Sequence, residues 1–320
     1  MEMQKRIDLI KRNSAEIIGE DRLPELLNKK NPVVYCGYEP SGEIHLGHLV
    51  TITKLLDLQK AGFRIKILLA DWHAWLNRKG TWEEINEISK MWEQGFKAAG
   101  LTDAEYILGS SFQRNMDYID DVMKISLNTT INRALRSMQQ VARDIDSAKV
   151  SQVIYPFMQI EDIKALKVDL VQSGIEQRKI HMLGVELLPM LGYKVPVFVH
   201  TPLISSIKGP GSKMSSSDPE SMISIRDDPD KIKKKINKAY CPEGVKEENP
   251  ILAIARLIIM PRMDVFEINR PEKFGGDVIF DNYEALENAF VNKEIHPMDL
   301  KLAVAKNLIE IMQPIREKLK

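Results

Sequence analysis

The sequence predicts an α/β fold, a doubly wound parallel sheet with a helical insertion, followed by a C-terminal all-helical domain. Short apolar, β-branched runs at Val33–Tyr38, Phe63–Ala70, Val168–Gln172 and Val195–His200 alternate with stretches of helical periodicity, the pattern of strand–helix–strand units. Beyond Asp228 the pattern is helical, which sets the C-terminal third apart. At 320 residues the chain is long enough for two domains and a sizeable core.

Composition narrows the class. With 44% hydrophobic and 28% charged residues the chain reads as an ordinary globular protein, and no apolar run approaches the ~20 residues of a membrane span. The N-terminus carries Glu2, Lys5, Arg6 and Asp8 where a signal peptide would have an apolar core, so a cytoplasmic location is expected. Cys36 and Cys241 are the only two cysteines and have no metal-ligand spacing, which fits a reducing compartment and no protein-bound metal. Formal net charge is zero, so any nucleic acid must meet a local basic patch.

Residues 3–30 read as one or two surface helices. Val33–Tyr38 is a strand, Pro40, Ser41 and Gly42 a turn, and Leu46, Leu49, Ile52 or Thr53, and Leu56 trace a helix stopped by Gly62. His45 and His48 stand three apart at that helix start, on one face, where free backbone N–H groups favour an anion. Gly47 between them removes a side chain where a flat ring or phosphate can approach the backbone. The next strand ends at Asp71 and His73, which either face a pocket at the carboxyl end of the sheet or, for Asp71, cap a helix.

Thr81-Trp-Glu-Glu84 fits a capping box opening a mostly helical insertion of about residues 81–150. All four tryptophans (Trp72, Trp75, Trp82, Trp92) lie in or just before it, as core or as a homodimer contact. Lys124, Arg133, Arg136, Arg143 and Lys149 make it basic, either as a solvated face or as a phosphate contact. Tyr155, Gln159 and Asp162 form a polar stripe on an otherwise apolar helix, which must meet partners or a polar ligand. A turn at Ser173-Gly174 leads into a helix carrying Gln177, Arg178, Lys179 and His181.

Lys208-Gly-Pro-Gly-Ser-Lys-Met-Ser-Ser-Ser-Asp218 is loop-like, with Lys213 able to follow negative charge on a moving phosphate, or else it is a flexible linker. Ile223–Ile225 is short and extended. Asp228-Pro-Asp230 opens a lysine-rich helix, and Pro250–Met260 and Pro297–Lys318 are further helices. The expected division is a Rossmann-like catalytic domain over 1–208, a mobile loop over 209–222 and a helical domain over 223–320.

His45-Leu-Gly-His48 and Lys213-Met-Ser-Ser-Ser217 resemble the paired HIGH and KMSKS signatures of class I aminoacyl-tRNA synthetases, in the right order. Ser217 replaces the second lysine found in many members, a variant familiar in the archaeal and eukaryotic tyrosyl enzymes. Over nearly its whole length the chain resembles archaeal-type tyrosyl-tRNA synthetases. That resemblance implies a tyrosine–tRNA ligase using ATP with Mg²⁺, acting on L-tyrosine and tRNA(Tyr), and forming a homodimer. It assigns His45, His48 and Lys213 to catalysis, and Gly47, Met214 and Ser215 with them to the nucleotide. Tyr35, Gly37, Tyr155, Gln159, Asp162 and Gln177 fall at the positions that hold tyrosine. In chemical terms the Asp162 carboxylate and Tyr35 hydroxyl suit a phenol, and Tyr155, Gln159 and Gln177 offer acceptors to an ammonium. Phe274, His296 and Asp299 match the reader of the first anticodon base, and Arg136 and Arg178 match contacts to the acceptor stem. Outside the resemblance, Phe274 reads as core and Asp299 as a helix cap.

Overall fold

The computed structural model describes residues 1–141, 148–211, 214 and 218–319. In chain order the elements are α1 (Met3–Lys11), β1 (Glu16–Ile18), α2 (Leu23–Asn28), β2 (Val33–Tyr38), α3 (Leu46–Lys60), β3 (Arg64–Leu69), α4 (Asp71–Leu76), α5 (Trp82–Ala98), β4 (Glu105–Leu108), α6 (Met116–Ser126) and α7 (Ile131–Met138). They continue with α8 (Val150–Ala165), β5 (Leu170–Gly174), α9 (Arg178–Leu187), β6 (Val197–Thr201), α10 (Pro229–Lys238), α11 (Pro250–Ile254), β7 (Phe266–Ile268), β8 (Val278–Phe280), α12 (Tyr283–Val291) and α13 (Pro297–Lys318). Two compact units result: Met1–Ser41, Lys54–Glu93 and Thr102–Pro202 form one, and Gly42–Thr53, Gln94–Leu101 and Leu203–Lys320 the other. No helix among the described residues is long and apolar enough to cross a membrane.

The first unit is built on a six-stranded sheet in the order β1-β6-β5-β2-β3-β4. β2, β3, β4, β5 and β6 are parallel, and β1 alone runs antiparallel, against β6. β5 and β6 are buried at every position. Helices cover both faces of such a sheet, which is why the strands appear as unbroken apolar runs. The order reverses between β2 and β5, and there the ladder stops early. Val34 pairs with Leu170 and Tyr35 with Val171, while β2 stays paired to β3 as far as Tyr38 and β5 to β6 as far as Gly174. The two strands part beyond Tyr35, opening a crevice at their carboxyl ends, where open α/β sheets bind ligands.

Two edge strands were not expected. β1 is too short to show an alternation of its own and is set by its register on β6, Ile17 opposite Val199. β4 lies inside the otherwise helical stretch 81–150 and extends the sheet beyond β3. The capping box is as expected: Thr81 N–H donates to Glu84 Oε2 at 2.8 Å and Glu84 N–H to Thr81 Oγ1 at 3.3 Å. In α3, Lys54 is buried. Its ammonium donates to the carbonyls of Leu9 (3.0 Å), Ile10 and Arg12 (2.7 Å), satisfying the C-terminus of α1, and burial lowers its pKa to about 7.

The second unit is helical but not all-helical. α13 buries Leu300, Val304, Leu308, Met312 and Ile315 along one stripe, and α10 buries Ile232 and Ile236. β7 and β8 form an antiparallel ribbon with Phe266 opposite Phe280, both buried. Three-residue strands in a loop-rich stretch carry too little pattern to be legible. The helix expected over Pro250–Met260 also departs from plan: α11 passes into a π-helical segment, Ala255–Ile259, and a short turn, Met260–Arg262, that contains Pro261.

Candidate functional site

In the first unit the crevice between β2 and β5 gathers the polar residues that the sequence scattered. Tyr35 is buried on β2, and Gly37, two residues further along the strand, is exposed. Asp162, on α8, is 1% exposed, and its Oδ1 accepts from Gln113 Nε2 at 2.8 Å and from the Tyr118 hydroxyl at 2.9 Å. Burial raises its pKa to about 7 against the opposing effect of those two donors. Oδ2 lies 3.7 Å from His73 Nε2, a buried ring nitrogen with no hydrogen-bond partner. Burial, and secondarily the Asp162 charge, pushes the Tyr35 phenol well above its ordinary value, so it stays a hydroxyl at neutral pH.

Tyr155 stands edge-on to His73, ring centroids 4.6 Å apart, and Glu39, itself hydrogen-bonded by Asn77, neighbours its hydroxyl. Gln159 donates to Gln177 Oε1 at 3.3 Å. One of the acceptors expected for an ammonium is thereby engaged by another. Gln159 Oε1 itself is buried with no hydrogen-bond partner. A buried, unpaired carbonyl oxygen costs about 1–3 kcal/mol until a donor arrives.

Asp71 does not cap the helix, whose N-cap is Ala70 with no side-chain cap hydrogen bond. It opens α4, accepts from Trp72 N–H and Ser110 N–H, each at 2.8 Å, and also from the Ser110 hydroxyl, bracing the loop that carries Gln113. Gln113 and Tyr118 escaped the sequence because nothing in their local pattern sets them apart. Only the packing of α6 and the preceding loop on α8 brings them to Asp162.

In the second unit the two imidazoles form a tight turn at the start of α3. Their ring centroids are 4.1 Å apart. His48 Nδ1 accepts from His45 N–H, and His45 Nδ1 accepts from Gly47 N–H, both at 3.1 Å. A ring nitrogen that accepts carries no proton, so each neutral imidazole keeps its hydrogen on Nε2. Desolvation lowers the pKa of His45 to about 4 and that of His48 well below the ordinary value, so both rings are neutral donors at pH 7. Gly47 serves this turn directly: a Cβ there would sit 2.8 Å from His45 Cε1. The space left by its missing side chain is filled by the His45 ring and not left open to a ligand.

This turn is laced to the segment that follows the serine-rich loop. Leu46 N–H donates to Ile223 O and Ile225 N–H to Ile44 O, both at 3.0 Å, with His45 bridged to Ser224. Gly95 on α5 admits Ile44, whose Cδ1 lies 2.5 Å from where a Cβ would be. On either side of the serine-rich stretch, Lys208 pairs with Asp218 at 2.7 Å, and Ile207 N–H donates to Ser221 O at 3.1 Å. Met214 is buried. Lys213 and Ser215, like Ser217 and Arg143, lie outside the described residues.

Phe274 is 60% exposed, not core, with the Lys273 ammonium 4.9 Å from its ring centroid. His296 caps α13, its Nδ1 accepting from Met298 N–H at 3.2 Å, and Asp299 lies half-buried in the first turn. Arg270 holds the two loops together through Gly276 O and Glu294 O, each at 2.7 Å, a role the sequence did not signal. Arg136 is exposed on α7, whereas Arg178 is engaged by Glu16.

A doubly wound sheet split at β2/β5, with a two-imidazole turn at the first helix of its strand–helix–strand unit, is the framework of a class I aminoacyl-tRNA synthetase. The chain belongs to that class and, within it, to the family described as tRNA synthetases class I (W and Y), whose model matches residues 27–313. Members of this class use ATP. The chain is 50% identical over 315 residues to the tyrosine–tRNA ligase of Methanosarcina barkeri, covering 98% of each protein. It is 50% identical over 322 residues to the tyrosine–tRNA ligase of Archaeoglobus fulgidus, covering 100% of this chain and 99% of that one. The crystal structure of the Archaeoglobus fulgidus tyrosyl-tRNA synthetase complexed with L-tyrosine matches with a TM-score of 0.96 at 49% identity, covering 100% of both chains.

Proposed function

We propose that the protein is a tyrosine–tRNA ligase. It activates L-tyrosine with ATP to tyrosyl-adenylate and transfers the tyrosyl group to the 3′ end of tRNA(Tyr). The observation that carries the amino-acid assignment is the buried Asp162 carboxylate, oriented by Gln113 and Tyr118 in the β2/β5 crevice. It accepts the phenol proton while the Tyr35 hydroxyl donates to the phenol oxygen, and Gln159 Oε1 takes the α-ammonium. Phenylalanine leaves these groups unpaired, and an indole N–H needs only the acceptor.

In the first step a tyrosine carboxylate oxygen attacks the α-phosphorus, and the bond from that phosphorus to the bridging oxygen of pyrophosphate breaks. His45 and His48 offer Nε2–H donors to the phosphates, and Lys213 neutralises the departing pyrophosphate. No protein nucleophile is required, because alignment and charge stabilisation suffice. Mg²⁺ enters as the ATP complex. Among the described residues no group of three or more His, Cys, Asp or Glu side chains is placed to hold a metal ion. A ribose hydroxyl at the tRNA 3′ end then attacks the tyrosyl carbonyl and AMP leaves.

Phe274 stacks on the first anticodon base, with His296 beside it and Asp299 accepting from its edge. Arg136 and Arg178 meet the acceptor stem. A second copy of the chain covers the exposed apolar residues Met116, Met123, Leu127 and Ile131 of α6, α7 and the turn between them. The buried free cysteines Cys36 and Cys241 suit a cytoplasmic protein. Pyrophosphate exchange with each amino acid in turn tests the reading: exchange is expected with tyrosine alone, and exchange driven by tryptophan overturns it.

A further inference from the structure

A chain of hydrogen bonds runs from Arg178 at the protein surface to Gln159 through Glu16, His200 and His181, which no step of the reaction above uses. Arg178 clasps Glu16 with Nε at 2.7 Å and Nη2 at 2.9 Å. Glu16 Oε2 lies 3.0 Å from His200 Nδ1, and the two residues stand opposite each other in the β1/β6 ladder. His200 Nε2 lies 2.9 Å from His181 Nδ1, with the rings nearly parallel at 10°. His181 Nε2 lies 3.5 Å from Gln159 Nε2, the longest link. His181 and His200 are 1% and 0% exposed, so no water competes for these nitrogens.

Only one assignment of protons satisfies every link with neutral rings. Arg178 holds Glu16 below the ordinary carboxylate range, so Glu16 is ionised and can only accept. His200 must therefore donate from Nδ1, which makes its Nε2 an acceptor. His181 then donates from Nδ1 and accepts at Nε2. Burial keeps both imidazoles neutral. The last acceptor can be met only by an N–H of the Gln159 amide, whose other N–H goes to Gln177 Oε1. With its amide turned this way, Gln159 presents Oε1, the atom that is buried and lacks a partner.

We propose that His181 is a positioning residue for amino-acid binding. With His200 and Glu16 it forms a relay that orients the Gln159 amide so that its oxygen, and not its nitrogen, meets the substrate ammonium. The inference rests on the tyrosine reading and extends it. An amide is nearly symmetric in shape, so packing alone does not decide which end faces a ligand. A surface carboxylate decides it here, through two ring tautomers. If the amide turned over, an N–H would face a cation and the affinity for that cation would be lost.

The test compares two inhibitors of tyrosine-dependent pyrophosphate exchange: tyramine, which carries the ammonium, and 3-(4-hydroxyphenyl)propionate, which does not. Glu16→Leu removes the terminal acceptor at a partly exposed position, and His181→Phe keeps an aromatic ring over Phe198 while removing both nitrogens. Each is expected to raise the tyramine inhibition constant and the tyrosine KM about tenfold, the worth of one hydrogen bond to a charged group. The propionate constant, the ATP KM and kcat are expected to hold. Glu16→Gln, whose amide oxygen can still accept from His200, is expected to restore tyramine binding. Equal weakening of both inhibitors, or no change in either, overturns the relay. Wild-type protein that binds neither inhibitor refutes the tyrosine reading instead.

Discussion

The backbone N–H of Leu46 donates to the carbonyl of Ile223 at 3.0 Å, so the turn bearing the two imidazoles is hydrogen-bonded to the extended segment just past the serine-rich loop. With Ile225 N–H on Ile44 O, this makes a small ladder between the His-x-x-His turn and the segment Ile223–Ile225. Removing a rung is expected to disturb the imidazoles without touching them. Ile225→Pro abolishes one donor in a buried setting, a loss of about 1–3 kcal/mol. We expect a lowered melting temperature and a reduced kcat in pyrophosphate exchange. Unchanged exchange in a destabilised protein would show that the ladder has no part in placing His45 and His48.

The imidazoles themselves are expected to act on the rate. His48→Ala removes one neutral Nε2–H donor and the acceptor of His45 N–H. Adenylation should slow by about 10²–10³-fold, the usual effect of losing one preorganised donor to developing charge. The tyrosine dissociation constant should stay within a factor of two or three of wild type (about 0.5 kcal/mol). Equal losses in rate and in tyrosine affinity would remove His48 from the phosphate site.

Discrimination at the para position should follow Asp162. Asp162→Gly deletes the acceptor and is expected to relax the preference for tyrosine over analogues lacking the hydroxyl. Gln113→Leu leaves the carboxylate but removes one of its two donors, so its pKa is expected to rise further and tyrosine affinity to fall about tenfold. Competitive exchange assays with tyrosine and phenylalanine read both outcomes. A variant of Asp162 that still demanded the hydroxyl would refute the pocket assignment.

Acid should destabilise the fold. Burial lowers the pKa of His45 to about 4 and of His73 to about 3, and lowers those of His48, His181 and His200. Unfolded histidines bind protons below about pH 6.5 while these stay neutral in the fold, so their stability contribution is full above that pH and is lost as pH falls. Asp162 and Glu161 work the other way: their folded pKa values are raised to about 7 and about 8, so their contribution is present at low pH and is lost as pH rises toward those values. The histidines outnumber them, and melting temperatures are expected to fall steadily from pH 7 to pH 5. A flat profile would contradict the neutral assignment on which the ring tautomers depend.

Phe274→Ala should separate the two halves of the reaction. Loss of a stacking face is worth about 1–3 kcal/mol per base, so the KM for tRNA is expected to rise by a factor of five or more in aminoacylation. Pyrophosphate exchange, which needs no tRNA, should be unchanged. An exchange defect in this variant would place Phe274 elsewhere in the chemistry.

What the sequence determined by itself was the alternation of strands and helices, the His-x-x-His helix start and the polar stripe on α8. Each is a local pattern, set by hydrophobic period and by turn and cap residues within a few positions of one another. The edge strands β1 and β4 and the ribbon β7–β8 were not legible, because strands so short are specified by the neighbour they pair with. Tertiary structure alone decided what the polar groups do. Gln113 and Tyr118 grip Asp162, the Gly47 gap is filled by the His45 ring, and a carboxylate on β1 sets the tautomers of His200 and His181. Hydrogen-bond direction depends on which donor and acceptor meet within about 3 Å, and partners far apart in the chain meet only once the sheet is folded.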